Sequence, residues 1–232
     1  MAVTPAPTLD LEHELMVAGR AGQGARPVLI GGMDEVGRGA LAGPATVGVA
    51  VVDASTGPVP GRLRDSKLLR PAVRDALVPE IEAWVVEAQT GSSTPEEIDA
   101  LGIVGALRLA GRRAVAALEP AHLPDLILLD GVHDWLTEPA ADLFAPLSPV
   151  DAAPIWTSPV RTVVKGDMRC ASIAAASVVA KVHRDRVMED LHQQFPAYGW
   201  LGNKGYGAAA HRAALMDHGV TVHHRRSWKL GV

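Results

Sequence analysis

Asp34-Glu35-Val36-Gly37-Arg38-Gly39 follows the apolar run Val28-Leu29-Ile30, and this stretch decides how the chain is read. The run has the character of a buried strand. Two adjacent acids at the end of such a strand cost desolvation energy unless a cation neutralises them. Glycines on either side of Arg38 give bare backbone that a ligand can approach closely, and the planar guanidinium fork suits phosphate. Acids for a metal, with phosphate donors beside them, are the parts required for metal-assisted phosphodiester chemistry.

Working outward, strand-like runs are predicted at 27–34, 45–53, 83–89, 125–130 and 161–165, with helices at 70–82, 95–118 and 172–195. Ser93-Thr94-Pro95-Glu96-Glu97 carries a capping signal with proline in the first turn of the second helix. Ser172-Ile173-Ala174-Ala175-Ala176-Ser177 is nearly all small side chains, which lets the third helix lie close to a neighbour. Strands and helices alternating, with acids at two strand ends, indicate an α/β layer fold whose site lies at a strand terminus or sheet edge. Residues 1–26, rich in Ala, Gly and Pro, read as a flexible extension with one short helix near 9–16. The body spans 27–195, and 196–232 forms a basic helical segment packed on the same domain. The Pro-rich, aperiodic stretch 132–160 reads as a long surface loop.

Composition narrows the function classes. Hydrophobic residues make up 48% of the 232 and aromatics 4%, so the core is built from Ala, Val, Leu and Ile. No apolar run approaches the ~20 residues that a membrane helix needs, and the N-terminus lacks the pattern of a signal peptide. A single cysteine, Cys170, excludes an internal disulfide and fits a reducing cytoplasm. The net charge is −4, yet from Leu201 onward Lys204, Arg212, Arg225, Arg226 and Lys229 face Asp217 alone, with His211, His218, His223 and His224 among them. A basic segment on an acidic protein is an electrostatic footprint for nucleic acid, and the histidines are expected at the surface or facing phosphate.

Four carboxylates occupy unusual places: Asp34 and Glu35 end the first strand, Asp130 ends Leu126-Ile127-Leu128-Leu129, and Asp167 precedes the small-residue helix. A hard divalent cation takes oxygen ligands of this kind. Adjacent residues on a regular strand point to opposite faces, so Asp34 and Glu35 share a site only if the strand is already turning at Glu35. Lys181 and Arg184 are expected to face solvent. Asp65-Ser66-Lys67 reads as a solvated turn or as a mobile loop that offers donors to a nucleic-acid backbone.

The ordered set Gly32-Met33-Asp34-Glu35-Val36-Gly37-Arg38-Gly39 with Gly43-Pro44, Asp65-Ser66-Lys67-Leu68, Glu97-Ile98-Asp99, Leu128-Leu129-Asp130-Gly131, Val164-Lys165-Gly166-Asp167, Ser172 to Val182, Lys204-Gly205-Tyr206 with His211, and His224-Arg225-Arg226-Ser227 resembles the type 2 ribonuclease H family, specifically the bacterial ribonuclease HII branch. The resemblance implies a ribonuclease H-like mixed β-sheet flanked by helices with a small C-terminal helical part. It implies an endonuclease that cuts the RNA strand of RNA–DNA hybrids, and that cuts 5′ of single ribonucleotides in duplex DNA to leave 3′-hydroxyl and 5′-phosphate ends, with Mg²⁺ or Mn²⁺. Asp34, Glu35 and Asp130 are implied as metal ligands and Asp167 as a further active-site carboxylate. Gly37, Arg38 and Gly39 are implied to meet the 2′-hydroxyl and Tyr206 to pack on the neighbouring sugar. Ser66, Lys67, Lys204, Arg225 and Arg226 are expected on the nucleic-acid backbone. The alternatives are a related metal-dependent nuclease, of the ribonuclease HIII or junction resolvase type, and a non-catalytic hybrid-binding protein. The HIII branch resembles this pattern with an added N-terminal substrate-binding domain, and only about 26 residues precede the core here; retention of all four acids counts against a non-catalytic protein.

Overall fold

In a computed structural model, residues 6–19, 26–138 and 154–231 are described. A five-stranded sheet in the order β3-β2-β1-β4-β5 forms the centre. Its strands are β1 (Ile30–Val36), β2 (Ala45–Val52), β3 (Glu87–Ser93), β4 (Leu126–Asp130) and β5 (Val160–Val163). The first three pair antiparallel, whereas β4 runs parallel to β1 and β5 parallel to β4.

One face of the sheet is covered by α4 (Ala171–Gln194), with α2 (Pro71–Trp84) and the N-terminal α1 (Asp10–Gly19) beside it. The other face is covered by α3 (Pro95–Ala116). The small residues of α4 have the expected consequence. A Cβ on Gly32 of β1 would collide with the backbone at Ser172 and Ile173, and one on Gly48 of β2 would collide with the Ala176 carbonyl. Helix and sheet therefore meet backbone to backbone, which carries the end of β1 up to the start of α4. In α3, Thr94 and Glu97 form the anticipated capping box with Pro95 in the first turn.

Three expectations change. The strand placed at 83–89 lies four residues later, because Trp84 completes α2 and the polar edge strand Glu87–Ser93 pairs with β2 through its backbone. The stretch after Asp130 is not all surface: Trp135 and Leu136 are buried against α3, and residues 139–153 of that stretch lie outside the described residues.

The third change concerns the N-terminus, where residues 6–19 are firmly docked. The amide of Thr8 donates to the Arg169 carbonyl and its carbonyl accepts from Ala171. Leu9 and Met16 are buried, and the fully buried Glu12 accepts from both the amide and the hydroxyl of Ser172, at 3.0 and 2.7 Å. Cys170, at the cap position of α4, provides no side-chain cap. Glu12 supplies that function from a distant part of the chain, satisfying a helix-terminal donor with a carboxylate favoured by the helix dipole.

The C-terminal part comprises α5 (Trp200–Asn203), α6 (Ala209–His218) and the tail to Gly231. Tyr198, Trp200, Leu215 and Leu230 enclose a small third core with Leu41, Ala42 and Met188. This core joins the C-terminal part to the loop that follows β1.

Candidate active site

Parallel pairing of β1 and β4 sets Met33 opposite Leu129, so the next residues, Asp34 and Asp130, emerge from the same ends of adjacent strands. A short 3-10 turn, Gly166–Met168, brings Asp167 in from between β5 and α4. The Gly166 amide donates to Asp130 Oδ1 at 2.7 Å, which ties that turn to the end of β4. One carboxylate oxygen from each of Asp34, Asp130 and Asp167 lies within 4.8 Å of the others.

Burial pushes Asp34 up to about 8; the charges of Asp130 and Glu35 add to the rise, and the Ser177 hydroxyl and Lys67 oppose it. Asp130 is also raised, by burial and then by the Asp167 charge, against the amides of Gly166 and Asp167. Crowded acids that resist ionising together need a cation. An all-oxygen, all-carboxylate donor set fits a hard divalent metal rather than a soft one.

The exposed Lys67 reaches the acids, with Nζ 3.2 Å from Asp167 Oδ2. Burial pulls its pKa down, but the charges of Asp65, Asp167 and Asp34 outweigh that and leave it raised. Ser66 is placed differently: it is buried and its hydroxyl shares a 2.9 Å hydrogen bond with Ser177, so it supports the site from behind.

Glu35 does not join the three converging acids. β1 remains a regular strand through Val36, with Glu35 opposite Val47, so alternation turns its side chain from that of Asp34. Glu35 accepts instead from Arg38 at 3.1 Å, while its charge still acts on Asp34 and Asp130. Asp167 takes the third position in the cluster.

The loop after β1 is held from inside. Gly37 has φ +81°, the left-handed region that favours glycine. Arg225 is wholly buried and donates to the carbonyls of Gly37 (2.6 Å), Arg38 (2.8 Å), Gly43 and Pro44. Arg184, also wholly buried, donates to the carbonyls of Pro44 (2.8 Å), Ala42 (3.2 Å) and Lys204 (2.9 Å). Its guanidinium lies where a Cβ on Gly37 would be, and its Cζ lies over the half-exposed Tyr206 ring, 5.5 Å from the centroid. Arg184 thus touches both loops, which are also joined directly where the Gly205 carbonyl accepts from the amides of Leu41 (2.8 Å) and Ala42 (3.2 Å).

These contacts revise the basic footprint. Arg225 is spent on carbonyls rather than offered to phosphate. Arg184, expected at the surface, is interior; the spacing Ala180-Arg184-Met188 along one face of α4 is the signal that marks it. Lys204 Nζ is held by Glu189 (2.8 Å) and the Leu201 carbonyl (2.7 Å). Arg226 keeps an exposed side chain, and Asp99 fixes its amide and the amide and hydroxyl of Ser227. His211 and His224 are buried against each other rather than facing phosphate. Cys170 is buried, and burial pushes its thiol up to about 12, which makes it an inert packing residue.

Residues 31–231 match the family described as Ribonuclease HII. A ribonuclease HII of Streptomyces avermitilis is 44% identical over 222 residues, covering 96% of this chain and 83% of that protein. Among solved structures, the ribonuclease H2 of Pyrococcus horikoshii OT3 superposes with a TM-score of 0.63 at 25% identity, over 88% of this chain and 95% of that one. The Bst ribonuclease HIII, solved in complex with Mn²⁺, shares the fold at 22% identity with a TM-score of 0.60, over 88% of this chain and 68% of that one.

Proposed function

The chain belongs to the ribonuclease HII family, whose members degrade the RNA strand of RNA–DNA hybrids, and we propose that this endoribonuclease also cuts duplex DNA on the 5′ side of a single embedded ribonucleotide, leaving 3′-hydroxyl and 5′-phosphate ends. The observation that carries the reading is the convergence of Asp34, Asp130 and Asp167 beside the Gly37-Arg38-Gly39 loop.

Asp34, Asp130 and Asp167 are the residues that hold a divalent cation, Mg²⁺ or Mn²⁺, with Glu35 as a further carboxylate from the same strand. That cation supplies polarisation of the scissile phosphate and a lowered pKa for water. The remaining roles belong to the chain. Backbone groups of Gly37, Arg38 and Gly39 read the 2′-hydroxyl, the group by which protein distinguishes RNA from DNA. The exposed Tyr206 ring packs on the sugar beyond the ribonucleotide. Lys67 exchanges its contact with Asp167 for a phosphate oxygen, and Arg226 meets the backbone farther along the duplex. Arg225 and Lys204 serve substrate indirectly, through the loops they hold. The reading carries a role in removing ribonucleotides from DNA in the cytoplasm of the cell. Among the described residues no helix is long and apolar enough to cross a membrane.

The test is a DNA duplex with one embedded ribonucleotide, end-labelled and incubated with and without Mg²⁺. A single metal-dependent cut on the 5′ side of the ribonucleotide is expected, with an all-DNA duplex left intact. Cutting of the all-DNA duplex, or a cut on the 3′ side, would refute it.

A further inference from the structure

Trp200, His211 and His224 form a buried polar chain that the chemistry described above does not use. Trp200 Nε1 donates to His211 Nε2 at 3.1 Å, and His211 Nε2 lies 3.1 Å from His224 Nε2. His224 Nδ1 accepts from the amide of Thr221 at 3.0 Å, so its proton sits on Nε2 and points at His211. The single lone pair of His211 Nε2 is therefore shared between two donors, which places its own proton on Nδ1, 2.9 Å from the Tyr206 carbonyl oxygen. Every hydrogen of the chain is assigned by its neighbours. Adding a proton to either imidazole would set two donors against each other, and burial holds both pKa values down, that of His224 to about 4.

The hydrogen-bonded chain reaches the Tyr206 loop at one end and the loop after β1 at the other. At one end the Tyr206 carbonyl is held by His211 and by the Ala208 amide at 2.8 Å, while the ring itself stays half-exposed. At the other end His224 pairs with Ala42 and directly precedes Arg225, which grips the Gly37 carbonyl. We propose that His211 is a positioning residue: through its Nδ1 proton it fixes the Tyr206 main chain at a set distance from the Gly37 loop, so that ring and ribonucleotide loop engage one sugar-phosphate step together. The proposal rests on the reading of Tyr206 as a substrate-contacting ring.

Two substitutions separate positioning from space filling. In His211→Asn the side-chain amide retains a donor near the Nδ1 position. In His211→Gln the amide lies near Nε2, able to satisfy Trp200 and His224 but not the Tyr206 carbonyl. With a duplex carrying one embedded ribonucleotide, His211→Asn should stay within about threefold of wild-type kcat/KM and His211→Gln should lose tenfold or more, whichever melts higher. In a Tyr206→Ala background the two substitutions should differ by less than twofold. Nitrogen-detected NMR of the wild-type protein at pH 7 should show His211 protonated on Nδ1 alone and His224 on Nε2 alone. The opposite tautomers, the reverse order of the two variants, or an equal difference in both backgrounds would overturn the relay. Full activity of Tyr206→Ala would instead overturn the role of the ring, and the relay with it.

Discussion

Arg225 Nη2 donates to the carbonyl oxygen of Gly37 at 2.6 Å, across 188 residues of sequence. A guanidinium with no exposed surface, bonded to four main-chain carbonyls, makes the loop beside the acids a product of the last dozen residues of the chain. Without Arg225 the Gly37 carbonyl keeps the Ala40 amide and the Pro44 carbonyl keeps Arg184, while the Arg38 and Gly43 carbonyls lose that donor, at about 1–3 kcal/mol each.

Arg225 and Arg226 should therefore behave as opposites. Arg225→Ala should lose at least about 2 kcal/mol of unfolding free energy, by the unsatisfied-group cost just given, measured by urea denaturation. Arg226→Ala should melt like wild type and flatten the dependence of log affinity on log salt by about one unit. A flattened slope for a stable Arg225→Ala would contradict the assignment of Arg225 to the interior.

Gly37→Ala places a Cβ on the Arg184 guanidinium at a residue with φ +81°. Arg184 is anchored to three carbonyls and cannot simply move aside. Cleavage at an embedded ribonucleotide should drop at least tenfold, while affinity for plain duplex changes less than threefold. Equal losses in cleavage and binding would place the defect in the fold rather than in the loop.

How much of this was legible in sequence differs element by element. The strand that carries Asp34, the strand ending in Asp130 and the small-residue helix declare themselves because their signals are local, an apolar run beside an acid and a row of alanines, although the first strand runs on to Val36, two residues past the expected end. Trp84-Val85-Val86 misleads because an apolar triplet looks alike at the end of a helix and at the start of a strand, and only the pairing of β3 with β2 decides it. Charge patterning errs where burial is long-range. Nothing near Arg225 or Arg184 in the sequence names their partners, which are backbone carbonyls without a side-chain signature. Glu12 has the same character, as its partner Ser172 lies 160 residues away.

Glu12→Ala removes the cap on α4 and leaves the Ser172 amide and hydroxyl buried without it. Loss of a capping side chain typically costs about 0.5–2 kcal/mol, and the unsatisfied hydroxyl adds to that, so a drop of about 2 kcal/mol is expected in chemical denaturation. Glu12→Gln, which keeps an acceptor oxygen, should recover most of it. Stability unchanged in Glu12→Ala would show that the N-terminal arm is not part of the folded unit.

The pH dependence of stability follows from Asp34. Its folded pKa, about 8, lies above the ordinary value of 3.8, so the folded state retains a proton that the unfolded chain gives up. Stability from this group is fully present below about pH 4 and is lost as pH rises to about 8. Without metal, Asp34→Asn should melt progressively higher than wild type as pH is raised through that window. Added Mg²⁺ or Mn²⁺ should raise the melting temperature of wild type more than that of the variant. A gap independent of pH would contradict the picture of Asp34 as a crowded, reluctant anion.

The central claim is that Asp34, Asp130 and Asp167 together hold the metal that cuts at ribonucleotides. Its most direct test is calorimetric titration of Mn²⁺ into wild type, Asp34→Asn and Asp130→Asn, paired with cleavage of the single-ribonucleotide duplex by the same preparations. Binding and cleavage should be lost together in both variants, each retaining its fold and its affinity for hybrid. Either variant keeping more than a few per cent of wild-type turnover, or losing turnover while binding Mn²⁺ as tightly as wild type, would contradict it.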